Sequence, residues 1–389
     1  FFICLFGFVG LSAEFAIGRK AGTGTLGSYE LCWKEKKKEK VGKVLGWIPL
    51  LGSLGIAIGY SVIIGWVLRF LCGSVTNTVL EQDSAEYFAD VTAFMRNVPW
   101  HVLVIAITVI VLLIGAATQI EKANKILMPL FFVLFSILAV RVFFLPGAKE
   151  GYEFLFVPKW EALANIDTWV MAMGQAFFSL SITGSGMIVY GSYLSKKEDI
   201  PRASMQTAFF DTIAAMLSAL AIMPAVFAFG IEPSAGPSLM FVTIPNIFKQ
   251  MPMGRLFAVI FFLSVCFAGI TSLINMFEAV IESWQHKFKL KRNHAVLLCG
   301  ALTLIVGLFM EEEARVGTWM DFITIIVVPF GAVLGAISIY YILGFDKIKE
   351  ELEEGRKKGL SKIFKPTAKY IYVPLTIIVF IDRKSTRLN

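Results

Sequence analysis

The chain has 389 residues, 57% of them hydrophobic, with a mean hydropathy of +0.71 and a formal net charge of +7. Soluble domains run nearer half apolar and break their apolar runs sooner, so this composition excludes an ordinary soluble domain and reads as an integral membrane protein. The positive charge does not point to nucleic acid, because the basic residues alternate by loop and do not gather on one binding face.

Runs of about 20 apolar residues read as spanning helices. They fall near 1–18, 44–72, 98–118, 125–145, 166–194, 203–230, 255–284, 294–310 and 319–344, with a short tenth from about 370, the first and last incomplete. Lys and Arg crowd one set of loops: Arg19 to Lys43, Lys122 and Lys125, Lys196 to Arg202, Lys287 to Arg292, and Lys347 to Lys369. The opposite loops hold Arg96, Lys149, Lys159, Lys249 and Arg315. The positive-inside rule makes the first set cytoplasmic and puts Phe1 near the outer face. With no signal peptide and no initiating Met, the chain reads as a fragment that opens inside a span.

The first span ends in Glu14-Phe-Ala-Ile-Gly-Arg19, and the Lys34 to Lys40 run beyond it reads as a solvated face, with lipid recognition as the alternative. Span two carries Gly52, Gly55 and Gly59 at helical spacing beside Tyr60, a close-packing face that delivers one phenol into the membrane. Spans three and four, joined by a short turn at Glu121–Lys125, are uniformly apolar and read as scaffold. His101, His286 and His294 form no cluster, and the five scattered cysteines read as buried small residues outside any disulfide framework.

Span five contains GQAFFSLSITGSGMIVYGSY, Gly174 to Tyr193, with Ser179, Ser181, Thr183, Gly184, Ser185 and Gly186 in its middle. Glycines and hydroxyls at this density weaken a helix and offer its backbone competing hydrogen bonds. Unwound backbone at membrane depth survives only where it lines a cavity, which predicts a broken helix around a solute site. A small-residue face packed against a neighbouring helix is the other reading. Span six carries Asp211, a carboxylate expected to face a cavity or a partner. The Pro- and Gly-rich outer stretch 231–254 reads as a lid. Span seven sets Thr271 and Ser272 one turn after Ala268, a group of oxygens on one helical face. Asp321 opens span nine near the outer side, and Asp346–Lys362 reads as an amphipathic cytoplasmic segment. Ahead of IDRKSTRLN the last span has only about ten apolar residues, too few to cross, which reads as truncation or an engineering scar.

Three motifs in order, Gln175-Ala-Phe-Phe178-Ser179-Leu-Ser181, Tyr190-Gly-Ser-Tyr193 and Phe267-Ala268-Gly-Ile-Thr271-Ser272, resemble the neurotransmitter:sodium symporter family, specifically its bacterial amino-acid transporters of the leucine-transporter type. The resemblance implies an all-α membrane fold of two inverted five-helix repeats, each opened by a broken helix. It places the remainder of the first repeat, four spans, at 1–145 and the second repeat at 146–344 with its broken helix at 166–194. The cytoplasmic amphipathic segment is then 345–369 and the truncated final span and tail 370–389, while the family's first helix is absent. It implies that Tyr60 binds a substrate carboxylate, that Phe178 lids the substrate, and that Ile56, Gly184 and Met276 line the side-chain pocket. Ser179 and Ser181 would offer oxygens to a first Na⁺ and to the substrate amine. Ala268, through its carbonyl, Thr271 and Ser272 would form a second Na⁺ site, with Ser272 also at the substrate. Hard cations want such oxygen ligands.

Asp211 stands where many members place an asparagine that coordinates the first sodium, and Ala215 where chloride-dependent members keep a serine. A fixed carboxylate there supplies the negative charge that bound chloride otherwise provides, so transport is expected to be chloride-independent. Asp321 matches the acidic half of an outer gate with Tyr60 and Phe178, Gly184 replaces a bulky residue and implies a roomier pocket, and His286 replaces the usual inner-gate aspartate. The expected activity is sodium-coupled import of a small amino acid by alternating access across a prokaryotic inner membrane, with Na⁺ as coupling ion, no cofactor, no nucleic acid and no enzyme chemistry. A proton-coupled or ion-independent exchanger, or a transport-inactive receptor, is the alternative.

Overall fold

The computed structural model describes residues 1–114, 117–230 and 236–385, the side chains of 117–124 and 382–385 aside. Among them the secondary structure is helical, with no strand. The principal helices are α1 (Phe2–Ala21), α2 (Thr25–Lys34), α3 (Trp47–Thr76), α4 (Val98–Ile114), α5 (Ala117–Phe143), α6 (Ile166–Ser179), α7 (Gly186–Tyr193), α8 (Ile200–Ala228), α9 (Gly254–Phe288), α10 (Arg292–Leu308), α11 (Glu313–Glu353) and α12 (Phe364–Ile381). Seven of the described helices are long and apolar enough to cross a membrane, those at α1, α3, α5, α8, α9, α11 and α12. With the shorter apolar α4 and α10, and α6 and α7 as halves of one interrupted span, they account for the expected apolar runs.

Several boundaries differ from the sequence expectation. Residues 121–125, expected as a turn, lie inside α5; Glu, Lys and Ala, which make up most of this stretch, are all helix formers by intrinsic propensity. α11 begins at Glu313, so Asp321 lies within a helix and does not open one. α12 begins at Phe364 and has 18 residues, enough to cross, where only about ten were expected. Lys365 and Lys369 masked its start, but Phe364, Ala368 and Tyr372 recur every fourth position and are buried. Cys4, expected to be buried, is exposed, while Cys32, Cys266 and Cys299 are buried and all five thiols are free. Of the expected lid, 231–235 lie outside the described residues. Phe241 farther along it is 1% exposed and stacks on Phe88 with ring centroids 5.1 Å apart, so this part is anchored to the core.

The apolar side chains form two main cores. One is built chiefly from α3, α4, α5, α9 and α10. The other is built from α1, α6, α7, α12 and the second half of α11. α8 joins both, contributing Ile200 and Ala208 to the second and Ala221, Ala225 and Val226 to the first. The glycine face of α3 admits α11 closely: a Cβ on Gly55 would lie 2.5 Å from Ile323 Cδ1, and one on Gly59 2.5 Å from Met320 Sδ. The Trp319 indole N–H donates to the Gly55 carbonyl at 2.7 Å in the same contact.

Candidate functional site

Helix α6 stops at Ser179 and α7 starts at Gly186, so residues 180–185 leave the helix in mid-span. Ser181 (φ +53°) and Gly184 (φ +73°) are left-handed, a conformation costly for serine and open to glycine. A Cβ at 184 would lie 2.5 Å from the Gly331 carbonyl oxygen and 2.8 Å from the Tyr29 hydroxyl, so the segment fits only without one.

In a membrane the freed backbone groups need partners inside the protein. Ser181 and Ile182 donate back to the Phe178 and Phe177 carbonyls at 3.0 and 3.1 Å. Gly184 N–H donates to Glu14 Oε1 at 2.8 Å. Thr25 Oγ1 meets Ser185 Oγ at 2.9 Å, so α2 props the break from below. Glu14 is 3% exposed, and its second oxygen, Oε2, has no hydrogen-bond partner among the described residues.

The break opens onto a cavity of about 300 Å³ lined by residues of α3, α6, α7, α9 and the unwound stretch. Of the residues singled out in the sequence, it brings together Ile56, Tyr60, Phe178, Ser179, Ser181, Ser272 and Met276. Ser53, Gln175, Thr183, Gly186, Met187, Tyr190 and Asn275 complete the wall. Gly184 does not line it, which corrects the expectation that its small size enlarges the pocket: the vacated volume is filled by Gly331 and Tyr29 on the far side. Asp321 is outside the lining and exposed, beside the Met320 that packs on Gly59.

The candidate ion ligands form two groups. The Ser179 hydroxyl lies 2.8 and 2.7 Å from the two oxygens of Asp211, so α6 and α8 meet through it at the cavity edge. On α9, the Ala268 carbonyl accepts from Thr271 Oγ1 and Ser272 Oγ, each at 2.9 Å, and Tyr60 interacts with Ser272 across the cavity. Both groups present only hydroxyl, carbonyl and carboxylate oxygens, a donor set suited to a hard monovalent cation.

Sequence reasoning missed residues whose partners are distant in the chain. Tyr190 hydrogen-bonds Asn275 at the cavity wall. The Tyr193 hydroxyl donates to Glu278 Oε1 at 2.6 Å, and Arg292 clamps the same fully buried carboxylate at 2.9 and 2.8 Å. These bonds tie α7 to α9 and α10 below the cavity. Tyr190 and Tyr193 belong to a motif visible in the sequence; nothing local marks Asn275 or Glu278 as their partners.

The model of the sodium:neurotransmitter symporter family matches residues 86–384. The chain belongs to this family. Among its relatives, the sodium-dependent transporter YhdH of Bacillus subtilis is 31% identical over 397 residues, spanning 97% of this chain and 86% of that protein. A sodium-dependent transporter of Haemophilus influenzae is 29% identical, spanning 95% and 85%. In structure, the chain is similar to MhsT, crystallised in complex with L-phenylalanine, with a TM-score of 0.86 at 29% identity over 98% of this chain and 89% of that one. The fold is thus the leucine-transporter type, and the chain is a multi-pass, sodium-dependent transporter and not an enzyme.

Proposed function

We propose that this symporter imports an amino acid with a large apolar side chain, coupled to sodium and independent of chloride, across a prokaryotic inner membrane. The observation that carries the reading is the roughly 300 Å³ cavity at a broken helix, with apolar Ile56, Phe178, Met187 and Met276 on its walls and the hydroxyls of Tyr60, Ser179, Ser181 and Ser272 among them. Such a wall suits a zwitterion with an apolar side chain. The phenylalanine bound in the similar MhsT supports an aromatic substrate, and the bacterial relatives support the membrane.

In this reading Tyr60 donates to the substrate carboxylate and Ser181 serves its amine. Phe178, 46% exposed, closes over it, and Asp321 is the acidic member of the outer gate. Ser179 and Asp211 hold one Na⁺, and the Ala268 carbonyl, Thr271 and Ser272 hold another. The first four spans and the five that follow act as inverted repeats, dividing near residue 145. Sodium and the substrate carboxylate neutralise each other in a poorly solvated cavity, so binding of either raises affinity for the other. The Asp211 carboxylate carries the negative charge that would otherwise be asked of chloride.

The test is uptake of labelled phenylalanine into proteoliposomes. Replacing Na⁺ by choline should abolish uptake, and replacing Cl⁻ by gluconate should leave it intact. Asp211→Asn should weaken apparent sodium affinity by roughly tenfold to a hundredfold, the worth of a hydrogen-bonded charged ligand. Chloride-dependent uptake by the unaltered protein, or full sodium affinity in Asp211→Asn, overturns the respective part of the reading.

A further inference from the structure

A second cavity, of about 600 Å³, lies at the cytoplasmic end of the molecule, between the start of α8 with its preceding loop and the segment that follows α11. Lys197, Arg202, Arg356, Lys357 and Lys358 line it against two acids, Glu198 and Asp199. Asp199 is already engaged: it caps α8 by accepting from the Arg202 backbone N–H at 3.1 Å and pairs with Arg356 at 3.4 Å. The side chains of Lys197, Arg202, Lys357 and Lys358 have no ion-pair partner among the described residues, in contrast to neighbouring Lys196, which is held by Glu351 and Glu354.

The two walls are fixed against each other. Gly355 (φ +81°) sits so close to the other wall that a Cβ there would lie 2.6 Å from the Glu198 carbonyl oxygen. Arg19, with its side chain 2% exposed, ties both walls by donating to the Ser195 and Glu198 carbonyls at 3.1 and 2.7 Å and to Glu351 Oε1 at 2.6 Å. The cations are therefore held around a shaped recess.

One face of α8 runs from this recess into the membrane. Arg202 and Gln206 line the cavity, and Phe209, Ile213 and Met216 follow at helical spacing, exposed by 61%, 37% and 41%. Cations at the membrane surface above a continuous apolar stripe have the polarity of a phospholipid molecule, with headgroup and acyl chain in register. We infer that this recess binds the headgroup of an anionic phospholipid of the cytoplasmic leaflet, with its acyl chains lying along Phe209, Ile213 and Met216. A lipid seated there bridges the loop that follows the interrupted helix to the segment after α11.

The full chain, purified from vesicles of phosphatidylcholine mixed with phosphatidylglycerol, is examined by native mass spectrometry for retained lipid. Phosphatidylglycerol should be retained over phosphatidylcholine. Lys357→Gln/Lys358→Gln should bind it about thirtyfold more weakly, at about 1 kcal/mol for each surface charge lost, while Lys357→Arg/Lys358→Arg retains it and shows that the site is intact. Lys37→Gln/Lys38→Gln, in another cytoplasmic loop, should retain it as well. Equal retention by the Gln double variant, or equal loss from the Lys37/Lys38 variant, overturns the inference. Displacement of the lipid by millimolar inorganic phosphate would also overturn it, since the recess would then be a site for free anions.

Discussion

Glu14 reaches from α1 to accept the Gly184 N–H across 170 positions of sequence, where the interrupted span would otherwise leave a bare donor in the membrane. Glu14→Ala removes that acceptor at a buried site, which costs about 1–3 kcal/mol. The variant should melt at a lower temperature and lose substrate uptake, whereas Glu14→Gln keeps a carbonyl acceptor and should retain most of both. Melting curves in detergent and uptake in vesicles decide this, and an Ala variant as stable and active as the parent would show that the bond does not hold the break. The break was legible as one of two readings, because hydroxyls and glycines between 179 and 186 weaken a helix but also suit a close-packed one. Its partner was not: a glutamate shortly before Arg19 looks like the polar end of a helix until the tertiary structure carries it to the middle of another one. Gly184 misled for a related reason, since a missing side chain shows in sequence but the side of the helix it faces does not.

Among whole elements, α4 was expected to be featureless scaffold, yet it carries His101, which is fully buried and joined at Nδ1 to Glu311 at 2.7 Å and at Nε2 to Ser61 Oγ at 2.9 Å. Ser61 follows Tyr60 on α3, so this relay pins the helix that presents the cavity tyrosine to α4 and to the connection between α10 and α11. Breaking a buried pair by removing one partner leaves an uncompensated polar group and costs about 3–5 kcal/mol, whereas replacing both by apolar residues is often neutral. His101→Leu should therefore be strongly destabilised, and His101→Leu/Glu311→Leu should recover most of the loss in thermal melting. A double variant no better than the single one would contradict the pairing. On the loop after α7, Lys196 holds the exposed Glu354 carboxyl below its ordinary range through their hydrogen bond. Burial pushes the Lys196 ammonium down, but its bonds to Glu354 and Glu351 outweigh that and raise it. The depressed carboxyl contributes stability above its unfolded value and loses it as pH falls through the folded one; the raised amine contributes below its unfolded value and loses it as pH rises through the folded one. The difference in melting temperature between parent and Lys196→Gln should be flat between those ranges and shrink at both extremes. A difference that does not vary with pH would mean that the charges do not interact.

The whole molecule reads as two bodies with the cavity between them. Ile56, Tyr60, Ser272 and Met276 come from helices of one core, and Phe178, Ser179 and Tyr190, with Ser181 between them, from the interrupted span of the other. Alternating access in this fold is largely rocking of one such body against the other around a fixed site. Hydropathy could find the spans, because they are set by composition along the chain, but the grouping of spans into bodies depends on which faces meet. Below the cavity the two bodies are joined by Tyr190 with Asn275 and by Tyr193 with the Glu278 that Arg292 neutralises. A path to the cytoplasm between α7 and α9 requires both bonds to break. Tyr190→Phe/Tyr193→Phe removes them with little change in volume, releasing about 0.5–1.5 kcal/mol for the neutral bond and about 1.5–3 kcal/mol for the charged one. The equilibrium should then move toward the cytoplasm-open state by roughly thirtyfold or more. With the native cysteines replaced and Met187→Cys placed in the cavity wall, labelling by a membrane-impermeant thiol reagent from the cytoplasmic side should accelerate accordingly. Unchanged labelling would mean that these tyrosines do not close the inner side, and the burden of closure would pass to the contacts of α2 with Ser185 and with the cytoplasmic end of α9.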